Sequence, residues 1–287
     1  MFSDLAITLL LILRIHTIIF SGDVGMAQTA TQALIKKTLP LLSKKGRDES
    51  GRFIVEGEKF VSEIPQNWPV DYYIVSDGFE QKHDISAYES RADVYTAADH
   101  RYKKLSDTVM PQGIMAVCEK KLFTPEDLTG GTPLLLLCEN LSDPGNVGTL
   151  IRTAAAAGAS GVILTKGCAD PYSPKAIRAS AGALFRIACA GEADALSAAG
   201  YLKGKGVTLA AAHLKGVTSP YDADMTKALC IMIGSEARGL SPEISALADI
   251  MIKIPMRNGT ESLNAAAAGI ILLYEAVRQL SAIRPCR

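Results

Sequence analysis

PLLLLCENLSDPGNVGTLIRTAAAAG, residues 133–158, is the stretch on which the fold turns. Leu134, Leu135, Leu136 and Leu137 form an unbroken apolar run, the pattern of a strand buried on both faces of a parallel sheet. A polar turn follows from Asn140 to Asn146, with Pro144-Gly145 at its centre. Residues 147–157 are then helical and rich in small side chains, stopping at Gly158, and residues 162–164 read as the next strand. The alternation continues downstream, with strands at 208–212, 230–233 and 250–254. A last helix covers 262–282, where Leu263, Ala266, Ala267, Ile270, Ile271, Tyr274 and Val277 fall on one face. Strands alternating with helices predict an α/β fold built on a parallel sheet.

Upstream, residues 26–120 alternate in the same way on a smaller scale. A helical pattern at 27–42 leads through a polar turn (SKKGRDESGR, 43–52) to strands at 53–57, 70–75, 94–96 and 113–117. Short helices are expected at 58–64 and 99–106. This is enough for one small domain. The mixture of charge, Pro and Gly at 121–131 marks a linker, which leaves 132–287 as a second domain. Residues 5–20 are apolar except for Thr8, Arg14, His16 and Thr17. Asp4 as the only early charge argues against a signal peptide, and Arg14 in mid-run argues against a membrane span. Residues 1–25 are therefore expected to be an extension outside the fold, with a weak signal or anchor as the alternative.

Among 287 residues, 30 Lys and Arg balance 30 Asp and Glu. No global field draws the chain to nucleic acid, so an RNA surface would have to be a local patch. Cys118, Cys138 and Cys230 lie in apolar strand-like runs, and the six cysteines form no CxxC pair. With four histidines and no metal spacing, neither a zinc site nor a disulfide framework is expected, which fits a reducing cytoplasm.

Three polar loops directly follow buried strands, the place where open α/β sheets collect ligands. In the first, Asn146 is placed to cap the following helix, and Arg152 lies about 600° of helical rotation further on. The second, MIGSEARGLS (232–241), brackets Glu236 and Arg238 between Gly234 and Gly239. It is neither a dinucleotide fingerprint nor a phosphate-binding loop with its lysine, which argues against a nicotinamide dehydrogenase. The third, IPMRNGTESLNAAAAG (254–269), opens the last helix with Ser262 as a natural N-cap and Asn264 beside it. Each loop alone is also what an ordinary helix start or glycine turn looks like. Three together are more than packing needs.

In this order the three loops resemble the sequence motifs of the SpoU/TrmH family of SPOUT RNA methyltransferases. The matching positions are Asn146, Gly148 and Arg152-Thr153-Ala154; then Gly234, Glu236, Arg238, Gly239 and Leu240; then Ile254-Pro255-Met256 and Ser262-Leu263-Asn264. Ser235 stands where many relatives carry Asn. More loosely, KKGRDESGRFIVEGEKFV and SDTVMPQGIMAV resemble the substrate-binding domain often fused to this family.

The resemblance implies a deep trefoil knot, a homodimer and S-adenosylmethionine as cofactor. Residues expected at the cofactor are Leu209, Ala210, Ala211, Gly234, Ile254, Leu263 and Asn264. The implied reaction methylates an RNA ribose 2′-hydroxyl. Arg152 would draw off its proton or anchor the phosphate, and a buried, crowded cationic site would be needed to depress the guanidinium pKa. Asn146 and Glu236 would orient Arg152 or the substrate, and Ser262 and Asn264 would brace the site. The fused domain points to rRNA rather than tRNA, and a catalytically silent RNA-binding factor stays open as a third reading. Lys36, Lys37, Lys44, Lys45, Arg47 and Arg52, with Arg178 nearer the catalytic half, are the candidate phosphate contacts. A run of this kind is equally the composition of a solvated face.

Overall fold

The computed structural model describes residues 27–283. The expected extension at 1–25 lies outside the described residues. Strands β1 (Gln28–Thr29), β2 (Arg52–Glu56), β3 (Val70–Ser76), β4 (Asp93–Ala97) and β5 (Ile114–Glu119) build one sheet in the order β1-β4-β3-β5-β2. Strands β6 (Leu134–Cys138), β7 (Gly161–Thr165), β8 (Ala188–Ala193), β9 (Thr208–Ala212), β10 (Leu229–Ile233) and β11 (Ile250–Ile252) build a second, in the order β11-β9-β10-β6-β7-β8. Every pairing in this second sheet is parallel. In the first sheet, β5 runs antiparallel to both β2 and β3.

Helices α1 (Gln32–Thr38), α2 (Lys44–Ser50), α3 (Glu58–Ser62), α4 (Asp77–Glu80), α5 (Ser86–Glu89) and α6 (Asp99–Leu105) accompany the first sheet. Helices α7 (Pro144–Ala156), α8 (Pro174–Ser180), α9 (Ala195–Gly204), α10 (Pro242–Leu247) and α11 (Ala265–Ile283) accompany the second. The leucines of β6 are fully buried, as a central strand covered on both faces requires. Cys118, Cys138, Cys189 and Cys230 are buried free thiols.

Several elements differ from the sequence reading. The polar stretch read as a turn contains α2. Ser43 accepts a hydrogen bond from the Gly46 N–H at 3.1 Å, and Gly51 closes the helix at φ 66°, so both ends are capped. The first helix ends at Thr38 and continues only as a 3-10 turn, Leu39–Leu42, containing Pro40. Strand β8 was unforeseen: its sequence, ACAGEA, has no β-branched residue, and pairing with β7 makes it a strand.

The two sheets share contacts. Arg47 of α2 forms a buried ion pair with Asp170 at 2.7 Å, both side chains under a tenth exposed, and also donates to the carbonyls of Leu41 and Leu42. Phe53 of β2 packs on Tyr172 with ring centroids 4.7 Å apart, and Trp68 meets Phe185 edge-on at 4.9 Å. One apolar cluster runs from Val55 and Trp68 through Phe185 to Leu136. Among the described residues, no helix is long and apolar enough to cross a membrane.

Candidate active site

Strand order in the second sheet reverses between β6 and β10. The chain proceeds to β7 and β8 on one side, and β10, β9 and β11 lie on the other. At such a switch point two neighbouring loops diverge and leave a crevice at the carboxyl ends of the strands. The loop after β6 leads to Asn146, and the loop after β10 starts with Gly234. A cleft of about 670 Å³, part of it open to solvent, lies beside them.

Gly234 is held in backbone-to-backbone contact. A Cβ there would lie 2.0 Å from the carbonyl carbon of Gly239. The Gly239 N–H donates to the Ser235 carbonyl at 2.8 Å, which closes a tight loop. Glu139, buried at the end of β6, fastens that loop to the neighbouring strand. Its carboxylate accepts from the Ser241 N–H at 2.8 Å and the Ser241 hydroxyl at 2.7 Å.

Helix α7 starts at Pro144, and its cap is Asp143, whose carboxylate accepts from the N–H groups of Gly145 and Asn146. The Lys175 ammonium, 2.7 Å away, and the Gly145 N–H hold the Asp143 carboxyl below the usual carboxylate range. Asn146 is therefore not the cap, and its side chain is free for other partners. Its Nδ2 donates to Glu236, and its Oδ1 accepts from the Asn264 Nδ2 at 3.2 Å. Asn264 in turn caps α11, its Oδ1 accepting from the Ala267 N–H at 3.2 Å. The last helix thus starts three residues later than expected, with Asn264 rather than Ser262 as its cap. The Glu236 carboxylate can only accept, so the Asn146 amide nitrogen faces it and the Asn146 oxygen is left to accept from the Asn264 amide nitrogen. The direction of each hydrogen bond in the Asn264–Asn146–Glu236 chain follows from that.

The structure joins residues from all three motif loops, 90 and 118 positions apart in sequence. Ser262 and Leu263 line the cleft, as do Gly234, Glu236 and Ile254. Leu209, Ala210 and Ala211 do not: they are fully buried within β9, and the wall begins one residue later with Ala212, His213 and Leu214. A strand's interior residues face the sheet's covering layers, and only its end and the following loop reach a crevice. Arg152 is exposed on α7 and has no ion pair among the described residues. Among the described residues it therefore does not sit in the buried, crowded cationic setting that proton removal by a guanidinium would call for.

The basic residues divide. Lys36, Lys37 and Lys45 are exposed, and Lys45 has only a loose Glu49 neighbour at 3.7 Å. Arg47 is sequestered against Asp170, Lys44 pairs with Glu192 at 2.5 Å, Arg52 with Asp71, and Arg178 with Asp107 at 2.8 Å. Except for Arg52–Asp71, these pairs link the two sheets' domains. Spacing along the sequence identified a basic run but carries no information on which charges a neighbouring domain neutralises.

Comparison with known proteins gives a consistent picture. A profile of the SpoU rRNA Methylase family matches residues 133–274, and an MRM3-like substrate binding domain matches residues 32–116. The 23S rRNA (uridine(2479)-2′-O)-methyltransferase of Streptomyces viridochromogenes is 30% identical over 272 residues, covering 88% of this chain and 91% of that protein. The 23S rRNA (guanosine(2553)-2′-O)-methyltransferase RlmP of Bacillus subtilis is 29% identical, covering 86% and 97%. The crystal structure of the SpoU methyltransferase AviRb from Streptomyces viridochromogenes, in complex with AdoMet, superposes with a TM-score of 0.79. It shares 28% identity and covers 87% of this chain and 98% of that one.

Proposed function

The chain belongs to the SpoU rRNA methylase family, and from that premise we propose that it methylates a ribose 2′-hydroxyl of ribosomal RNA using S-adenosylmethionine. The observation that carries the reading is the Asn264–Asn146–Glu236 hydrogen-bond chain beside the cleft at the sheet's switch point. The cleft suits the cofactor. Gly234 allows close backbone approach, and Ile254, Met256 and Leu263 offer apolar walls for an adenine ring.

Bound S-adenosylmethionine supplies an electrophilic methyl group. The chain's own residues have to hold the ribose oxygen in line and remove its proton as the new O–C bond forms. Asn146, held at a fixed orientation by Asn264 and Glu236, presents a defined edge at the start of α7. Arg152, two turns along that helix, is the group for the target phosphate, gripped bidentately. Drawing off the hydroxyl proton is the competing role for Arg152, and it would require desolvation, which a second subunit packed over it would supply.

A homodimer belongs with this proposal. Helix α11 leaves Ile271 and Tyr274 36% and 49% exposed on the face opposite its buried Leu272, Leu273 and Ala276. So does a trefoil knot involving 234–241 and 254–264, the two segments that meet at the cleft. We assign 26–120 to RNA binding, 121–131 to the linker and 132–287 to catalysis, since each sheet lies within one of those spans. The free buried thiols fit a reducing cytoplasm.

Transfer of labelled methyl from S-adenosylmethionine to rRNA isolated from cells lacking the gene tests the reading. One labelled 2′-O-methyl nucleotide is expected. Cofactor binding by calorimetry without transfer to any RNA would favour a silent RNA-binding factor, and transfer to tRNA alone would overturn the rRNA assignment.

A further inference from the structure

A second cavity lies in the N-terminal domain, away from the cleft. Its walls include Phe79, Lys82, His83, Tyr102, Lys103 and Gln112, and it encloses about 810 Å³, part of it open to solvent. It sits at the carboxyl ends of the parallel pair β3 and β4, where Ser76 ends one strand and Asp99 follows the other. This is the side on which α/β sheets take ligands.

Four observations give the cavity a chemistry. The Phe79 and His83 rings are stacked, with centroids 4.0 Å apart and planes within 8°. Phe79 is buried, whereas the His83 side chain is 38% exposed. The His83 Nδ1 lies 3.0 Å from the Phe79 carbonyl, which sets the ring, and its Nε2 is 3.9 Å from Glu58. The pair therefore offers a supported aromatic platform at the rim. Lys82 and Lys103 have no acidic partner among the described residues, against one carboxylate in the lining, Asp99, which accepts from the Gly78 N–H.

The Tyr102 side chain is 1% exposed, yet its hydroxyl has no hydrogen-bond partner among the described residues. The Gln112 Oε1 accepts from the Glu58 N–H at 2.9 Å, leaving its amide nitrogen free to donate. The floor is shaped for space as well. Gly113 has φ 88°, and a Cβ there would lie 2.7 Å from the Ser76 hydroxyl and 2.9 Å from Phe79.

A flat ring to stack on, free cations and polar groups for an edge match one class of ligand, a nucleotide. We infer that this cavity binds a single unpaired nucleotide of the RNA substrate, its base on His83 and its phosphate near Lys82 and Lys103. The inference rests on the methyltransferase reading and deepens it, because it names what the fused domain reads. The loop between α6 and β5 supports this. Val109 and Met110 there are 90% and 86% exposed beside the lining residue Pro111, giving an apolar lip. In the same loop Asp107 pairs with Arg178 of α8 at 2.8 Å, tying the lip to the catalytic domain. A nucleotide held here would set the register of the RNA on the catalytic half.

The test is ultraviolet crosslinking of the full chain to deproteinised ribosomal RNA, mapped by mass spectrometry, with methyl transfer measured in parallel. A nucleotide adduct on Phe79, His83 or Tyr102 is expected. His83→Ala is expected to raise the KM for RNA roughly tenfold, with His83→Phe restoring it, because base stacking on a ring is worth about that factor or more. Lys82→Gln with Lys103→Gln should weaken RNA binding and flatten its salt dependence. Adducts confined to other surfaces, or a His83→Ala protein with wild-type KM, would overturn the cavity while leaving the methyltransferase reading intact. Adducts in the cavity of a wild-type protein that transfers no methyl group would support the cavity and overturn the enzyme.

Discussion

Asn264 acts in two ways at once. Its oxygen caps α11 and its amide nitrogen donates to Asn146, so the start of the last helix and the orientation of the candidate catalytic residue are one arrangement. Asn264→Ala should therefore cost about 1 kcal/mol of stability through the lost cap, and should also release Asn146 to rotate. Arg152 is different. It does not line the cleft and has no hydrogen bond or ion pair among the described residues, so Arg152→Ala is expected to keep wild-type affinity for S-adenosylmethionine by calorimetry. Methyl transfer should fall by about 100-fold or more, the scale of a misplaced reacting group. Normal turnover in that variant would remove Arg152 from the site.

At the scale of elements, α7 carries the site because it can lie close to α8. A Cβ on Gly148 would stand 2.5 Å from the Ala176 carbonyl oxygen and 2.6 Å from the Ala179 Cβ. A backbone oxygen cannot move aside as a flexible side chain can. Gly148→Val should push the helices apart and destabilise the fold by roughly 1–3 kcal/mol. Because Asn146 and Arg152 ride on the displaced helix, activity should fall further than thermal stability alone accounts for. A variant with unchanged melting temperature and unchanged turnover would refute that coupling.

Over the whole molecule, the Arg47–Asp170 pair ties the RNA-binding domain to the catalytic one. Arg47→Ala leaves a buried carboxylate unpaired and should cost about 3–5 kcal/mol, read by denaturant unfolding, with much of it recovered in an Arg47→Met, Asp170→Leu double replacement. The thiols make a second prediction. Burial pushes Cys189 and Cys230 up to about 12, from an ordinary value near 9. The folded chain keeps these thiols neutral where the unfolded chain ionises them. Their contribution is complete below about pH 9 and is lost as pH rises toward about 12, so melting temperature should decline across that window. Below it, iodoacetamide should leave both cysteines of the native protein unmodified.

Much was legible in the sequence because it is locally encoded. The parallel strands of the second sheet announced themselves as apolar runs, and the polar loops after them held the residues that meet at the cleft. The caps are harder to read because several residues near each helix start carry a suitable oxygen, and the position where the helix begins selects among them: with starts at Pro144 and Ala265, Asp143 and Asn264 cap rather than Asn146 and Ser262. The edge strand β8 and the fate of the basic run could not be read locally at all. Pairing with β7 makes ACAGEA a strand, and acids more than 70 positions away neutralise Lys44, Arg47 and Arg178. The sequence by itself determined the alternating α/β architecture and the order of the motif loops, since hydrophobic period and turn chemistry act over a few residues. Only the tertiary structure decided which side chains share a hydrogen bond, which charges remain free for RNA and where the second cavity opens, because those depend on segments brought together by packing across the chain.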